Sequence, residues 1–198
     1  MNYSICGGNL RNVGFKIIGT GLISCALFLG SYPVTTAMPL AEQRSFFRKS
    51  PSLLNATTTF SSVRAWSATY YFTIKLPQEA GNSLSKIAIA QREAPDEISF
   101  YLDRTVAFQG THRRKGESLN IESVTQDEET GAISVTFVPP VPAGTTLTVG
   151  LKPKRNPDYS GIYLFGVTAV PAGENPSSLY LGVGRLTFFQ GSGDLFNR

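Results

Sequence analysis

Between residues 68 and 190, apolar and polar side chains alternate in short runs, and clusters of Gly, Pro, Asn and Asp end each run. Tyr70, Phe72, Ile74 and Leu76 alternate with Tyr71, Thr73 and Lys75. Ile133, Val135 and Phe137 alternate with Ser134 and Thr136, and Leu147, Val149 and Leu151 with Thr146, Thr148 and Lys152. A period of two sends successive side chains to opposite faces, so each run reads as a strand with one buried face. Ile87 with Ile89, Val106 with Phe108, and the stretches 119–125, 161–170 and 179–190 add further strands. The separators Asp127–Gly131, Pro139–Gly144, Asn156–Gly161 and Pro171–Ser178 carry turn chemistry. Pro95–Leu102 fits either a short helix after its Pro-Asp-Glu start or another strand. No segment has the length and period of a crossover helix, which argues against a parallel α/β sheet. The pattern predicts an all-β fold, an antiparallel immunoglobulin-like β-sandwich of about seven strands with at most one short helix.

The first 40 residues follow a different rule. Arg11 and Lys16 precede an apolar run, Ile17 to Leu29, which Gly30 closes. That run suits the core of an export signal and is shorter than the roughly 20 residues needed to cross a bilayer. Thr35 and Ala37 occupy the small-residue positions of a cleavage site, so residues 1–37 read as a signal peptide, with an uncleaved anchor as the alternative. Leu22-Ile23-Ser24-Cys25 has the form of a lipoprotein box, but Ala26-Leu27-Phe28-Leu29 follows where a lipid-bearing cysteine needs polar chain. The rest divides into an extended polar lead-in at 38–67, the sandwich domain at 68–190 and a flexible tail at 191–198.

Export changes the available chemistry. Both cysteines, Cys6 and Cys25, lie in the segment expected to be removed, which leaves a chain without disulfides or thiolate ligands. Loss of Arg11 and Lys16 lowers the net charge from +4 to +2. That field is too weak to argue for nucleic acid as a partner. With 41% apolar and 16% charged residues, the chain is neither a disordered polyelectrolyte nor a multi-span membrane protein. No integral membrane domain is expected after cleavage, and the destination is the periplasm, the outer envelope or the exterior.

Catalytic side chains are scarce. A soft-metal site needs imidazole, thioether or thiolate groups gathered together, and the exported part offers only His112 and Met38. Any Ser-His-acid arrangement would depend on His112, which sits in Thr111-His-Arg-Arg-Lys-Gly116 without a nucleophile-elbow motif and reads as a solvated loop histidine. Asp127-Glu128-Glu129 is the densest acidic run and reads as a hairpin turn. Gly182-Val183-Gly184 lacks the context of a phosphate loop and reads as a bulge or a close backbone approach. The sequence calls for no cofactor, no metal and no catalytic residue. Two basic clusters remain, His112-Arg113-Arg114-Lys115 and Lys152, Lys154 and Arg155. At one end of the sandwich they would make a cationic patch suited to an anionic envelope polymer or an envelope protein; apart, they serve solubility. Trp66 and the Tyr159–Tyr163 segment could stack on sugars or pack in the core.

Several runs are familiar together: Ala68-Thr-Tyr-Tyr-Phe-Thr, Ile87-Ala-Ile-Ala-Gln-Arg-Glu93, Phe137-Val-Pro-Pro-Val-Pro-Ala-Gly-Thr-Thr146 and Arg155-Asn-Pro. Gly161-Ile-Tyr-Leu-Phe-Gly-Val-Thr-Ala169, Pro171-Ala-Gly-Glu-Asn-Pro176 and Leu181-Gly-Val-Gly-Arg-Leu186 join them. From about residue 68 to 189 the chain resembles an exported cyanobacterial family of unknown function, domain of unknown function 2808. The resemblance implies an envelope or extracellular setting and a small β-rich domain, and it carries no activity. The layout from Ile133 to Val170 also resembles immunoglobulin-like periplasmic copper carriers in architecture alone. The expected function is that of a non-catalytic envelope protein binding anionic envelope components. The alternatives are an envelope polysaccharide-acting enzyme with paired carboxylates and, disfavoured by its ligand poverty, a periplasmic metal-binding protein.

Overall fold

A computed structural model describes residues 44–190 apart from Glu93. The expected signal peptide, Cys25 and the expected tail lie outside the described residues.

Ten strands form two antiparallel sheets of five. They are β1 (Ser52–Thr58), β2 (Tyr70–Lys75), β3 (Leu84–Gln91), β4 (Phe100–Thr111), β5 (Arg114–Ser118), β6 (Ile121–Gln126), β7 (Ile133–Val141), β8 (Thr146–Pro153), β9 (Gly161–Pro171) and β10 (Leu179–Phe188). One sheet runs β1-β2-β8-β4-β5 and the other β10-β9-β3-β7-β6. The architecture is the expected antiparallel immunoglobulin-like sandwich.

The alternating residues meet between the sheets. Tyr70, Phe72 and Ile74 of β2 and Leu147, Val149 and Leu151 of β8 face Ile87, Ile89, Val135, Phe137, Tyr163, Phe165 and Val167 in one buried cluster. Aromatic rings interlock edge to face there, Phe72 with Phe165 at 5.6 Å and Tyr70 with Phe100 at 5.8 Å between centroids.

The strands differ from the reading of the sequence in number and extent. The strands number ten rather than about seven. One of the additions, β1, lies inside the 38–67 lead-in and pairs with β2 from Ser52 opposite Lys75 to Thr58 opposite Tyr70. Another, β5, is exposed along its whole length. Alternation reports one-sided burial, so an edge strand held by its backbone alone leaves no such trace. Of the two readings of Pro95–Leu102, the strand holds for Phe100–Leu102, where β4 begins, and 95–99 runs as loop; the only helical turn among the described residues is Gln78–Ala80.

Antiparallel pairing gives the sandwich two distinct ends. The near end carries the connections 59–69, 92–99, 127–132 and 154–160 and the exit from β10. The far end carries 76–83, 112–113, 142–145 and 172–178, with the start of the described chain tied there by the Ser45 N–H to the Glu174 carbonyl at 3.2 Å.

Candidate functional site

The two basic clusters do not meet. On β4, Tyr101 stands opposite Lys152 and Gln109 opposite Leu147, so Lys152, Lys154 and Arg155 lie at the near end while the β4–β5 turn lies at the far end. Strand geometry separates them by roughly 20 Å. The single cationic patch that the clusters would have formed together is therefore absent, because β4 runs the height of the sheet between them.

His112 is not a solvated loop side chain either. Its ring stacks on Tyr71, with centroids 5.6 Å apart and planes 15° apart. Lys115 Nζ lies 5.6 Å from the Tyr71 ring and 5.2 Å from the Phe108 ring. These residues cover the outer face of the first sheet, and only Arg113 and Arg114 of the cluster project without an aromatic partner. A β-hairpin tip beside an aromatic strand residue favours this packing, since ring stacking is worth about 0.5–1.5 kcal/mol.

The near end is built around Asn156, which is 2% exposed. Its amide donates to the Phe60 carbonyl at 2.9 Å and the Ser62 carbonyl at 2.7 Å. Its backbone N–H donates to the Ala65 carbonyl at 2.8 Å, and its side-chain oxygen accepts from the Tyr70 hydroxyl at 2.9 Å. One buried side chain thus ties the 59–69 connection to the 154–160 connection and to β2. The exit from β10 joins the same assembly, since the Val63 N–H donates to the Phe189 carbonyl and the Phe189 N–H to the Ser61 carbonyl.

On this frame sit four aromatic side chains that point into solvent: Phe60 at 52%, Trp66 at 69%, Tyr159 at 61% and Phe189 at 59% exposure. Scattered apolar side chains are normal on a surface, but several aromatics gathered on tied loops mark a contact site. Trp66 is the most defined of them. The Arg155 guanidinium lies over its ring at 5.5 Å and is fixed by Asp158 Oδ2 at 2.9 Å. Asp158 Oδ1 accepts from Arg64 Nε at 3.2 Å, and the Asp158 N–H donates to Asp96 Oδ2 at 2.8 Å. The other oxygen of Asp96 accepts from the Tyr163 hydroxyl. Such half-exposed ion pairs add little stability, so their physical effect is to hold the tryptophan's backing in one place.

The phenols at the base of this network resist ionisation. Burial pushes the Tyr70 hydroxyl far above the usual tyrosine range, helped by the neighbouring Tyr163 and Asp96. Burial also raises Tyr163, and its hydrogen bond to Asp96 adds to the effect.

Beside the network, a cleft of about 740 Å³ opens between the 92–99 and 127–132 connections. Its floor is apolar, formed by Ile89, Phe100, Ile133, Leu151 and Phe165, and its walls bear Asp96 and Glu97 on one side and Asp127, Glu128 and Glu129 on the other. Two of these carboxylates already have structural employment. Asp96 holds Tyr163 and the Asp158 N–H, while Asp127 Oδ1 accepts from the Thr130 hydroxyl at 2.6 Å and the Thr130 N–H at 2.7 Å. Those bonds from Thr130 hold the Asp127 carboxyl below its usual range, which suits a turn cap and not a proton donor. Among the described residues no group of three or more His, Cys, Asp or Glu side chains is placed to hold a metal ion, and no helix is long and apolar enough to cross a membrane.

Of the residues singled out from the sequence, Trp66, Tyr159, Lys154 and Arg155 gather at the near end, and Arg113 and Arg114 stand apart from them. In the sequence Asn156 and Asp158 read only as turn residues, and Asp96 as part of a helix start or a strand. Polar burial of an asparagine has no sequence period, and the one available signal was the Arg155-Asn-Pro run.

Some solved structures are similar to this chain at low sequence identity. A bacterial hydrophobin, BslA, aligns at 16% identity over 73% of this chain and 97% of its own, with a TM-score of 0.46. The collagen-binding domain of a Staphylococcus aureus adhesin aligns at 10% identity over 74% of this chain and 98% of its own, with a TM-score of 0.37. Likeness at this level concerns architecture and assigns no ligand. No curated protein sequence matches the chain. The family described as "Protein of unknown function (DUF2808)" matches residues 44–188, a span that takes in every strand of both sheets, and the chain belongs to that family.

Proposed function

We propose that this chain is an exported, non-catalytic β-sandwich of the cell envelope that binds an anionic envelope component through its near end. The observation that carries the reading is the set of exposed aromatics, Phe60, Trp66, Tyr159 and Phe189, on connections locked together by Asn156. Lys152 and Lys154 stand at the same end and supply the cationic part of the surface. Pre-ordered loops bind at lower entropic cost, and loops on a rigid scaffold commonly carry recognition. Arg113 and Arg114, at the opposite end, then serve solubility.

The test compares two charge reversals for retention on sedimented envelope material at low salt. Lys152→Glu with Lys154→Glu should weaken retention about tenfold, and Arg113→Glu with Arg114→Glu should leave it unchanged. Loss confined to the far-end pair, or to neither pair, overturns the reading.

A second reading, an enzyme acting on envelope polysaccharide, draws on the carboxylates that line both walls of the 740 Å³ cleft. Release of new reducing ends from envelope polysaccharide, abolished by Glu97→Gln, would establish it. Absence of such release from material that the protein binds would exclude it.

A further inference from the structure

We infer that Trp66 is a stacking platform for a pyranose ring and that the unit it recognises in an envelope polysaccharide is a uronate, with Lys154 receiving the carboxylate. The inference rests on the near-end binding reading and names the ligand class of that site.

Three observations carry it. First, Trp66 is used from one side only. Arg155 lies over its ring at 5.5 Å, yet the side chain remains 69% exposed. An indole left this open in water forgoes burial of a large apolar area, while its backing by the Arg155–Asp158–Arg64 network removes the freedom that binding would otherwise have to freeze. The C–H bonds on one face of a pyranose carry partial positive charge and meet the negative face of an aromatic ring, which makes a flat, fixed indole a receptor for sugars.

Second, the ring opens onto a cavity of about 340 Å³ whose lining is mixed: Trp66, Ile98 and Pro157 give it apolar surface, and Glu97, Ser99, Lys154 and Asp158 give it polar groups. That volume fits one or two sugar rings, and a lining with both an apolar ring face and polar side chains matches the C–H face and the hydroxyl groups of a pyranose. Aliphatic walls, the mark of a lipid site, are reduced here to Ile98 and Pro157.

Third, of the charged side chains lining this cavity only Lys154 and Glu97 are not held by a partner among the described residues, and Lys154 is the one cation of the two. Asp158 is shared by Arg155 and Arg64, and Asp96 by Tyr163 and the Asp158 N–H. Lys154 is exposed, and its backbone N–H is anchored to the Ser99 carbonyl at 2.8 Å. Its backbone is therefore tethered at the cavity wall, and its exposed side chain supplies the ammonium that a carboxylate-bearing sugar requires.

The chain holds a single tryptophan, so its emission reports directly on the site. Full-length protein is titrated in calcium-free, low-salt buffer with oligogalacturonate, with neutral dextran, and with anionic lipid vesicles of phosphatidylglycerol. The expected result is a blue shift and protection from acrylamide quenching with oligogalacturonate, and a much weaker response to dextran. Trp66→Ala should weaken retention on immobilised polygalacturonate about tenfold to a hundredfold, with Trp66→Phe between it and the wild type. Lys154→Gln should bring the oligogalacturonate response down to the dextran level. No emission change with oligogalacturonate, or equal retention of Trp66→Ala, overturns the proposal. An equal response to dextran overturns the uronate assignment, and a response to vesicles alone overturns it in favour of a lipid surface. Envelope retention without an emission change defeats the Trp66 proposal and leaves the near-end reading standing, whereas no retention on any envelope fraction defeats both.

Discussion

The Tyr70 hydroxyl donates to Asn156 Oδ1 at 2.9 Å, and both groups are sealed from solvent in the core below the near end. The pair joins β2 to the 154–160 connection, whose Asn156 also holds the 59–69 connection that carries Trp66, so folding of the interior and presentation of the aromatics depend on the same side chain. Asn156→Ala would orphan the Tyr70 hydroxyl and the carbonyls of Phe60 and Ser62 together. Buried polar groups without partners are costly, and the expected loss is roughly 2–4 kcal/mol in urea unfolding. Tyr70→Phe strands only the asparagine oxygen and should lose about 1–2 kcal/mol. Acrylamide quenching of Trp66 should rise in Asn156→Ala and stay unchanged in Tyr70→Phe. Equal stability of the two variants would show that the amide bonds to the loop carry no weight.

Alkali tests the same region. Tyr70 and Tyr163 both have folded-state pKa values raised above the ordinary tyrosine value. A group raised in this way contributes its full stability below the unfolded pKa of about 10 and loses it as pH climbs from there toward the folded value. The predicted stability is therefore flat up to about pH 10 and then falls, by up to about 1.4 kcal/mol per pH unit for each phenol. In a spectrophotometric titration these two phenolates should emerge only with unfolding. Reversible ionisation of both near pH 10 in a protein that stays folded would refute the assignment.

At the edge where β1 meets β10, Gly184 has no room for a side chain. A Cβ there would lie 2.7 Å from the Ala56 Cβ and 3.0 Å from the Phe72 ring. Gly184→Ala should cost about 1–3 kcal/mol, as overpacking of a rigid core does. Ala56→Gly in the same chain should restore part of the loss, because it removes the nearest atom. Failure of the double variant to recover would place the strain in the backbone instead.

How much was legible in the sequence follows from what each residue reports. Tyr70, Phe72 and Ile74 announce a strand because one face is buried, and the structure pairs them with Leu151, Val149 and Leu147. Asp127-Glu-Glu-Thr-Gly131 announces its turn because the aspartate caps it and Gly131 takes a positive φ of 67°. Gly182-Val183-Gly184 was read as a bulge or a close approach and is both: register shifts between Tyr180 and Gly182, and Gly184 touches β1. The site was much less legible. Asn156 works through carbonyls of Phe60 and Ser62, over 90 positions away, and no local pattern encodes such a partner. The basic clusters are legible as charge, but only the register of β4 against β8 reveals that they stand at opposite ends.

The far-end cluster gives the last prediction. His112 stacks on Tyr71 and Lys115 leans over the same ring, so this hairpin covers an aromatic on the outer face of the first sheet. If that is its role, His112→Ala should cost about 0.5–1 kcal/mol of stability, the worth of a partly exposed ring pair. His112→Phe keeps a ring on Tyr71 and should recover most of the loss. Neither change should alter envelope retention, because the hairpin lies at the end away from Trp66. Urea unfolding and the sedimentation assay on one set of preparations separate the two possibilities. Reduced retention at unchanged stability would move the contact surface to the far end, since loss of a packing pair cannot weaken binding at a distant site without first loosening the sheet between them.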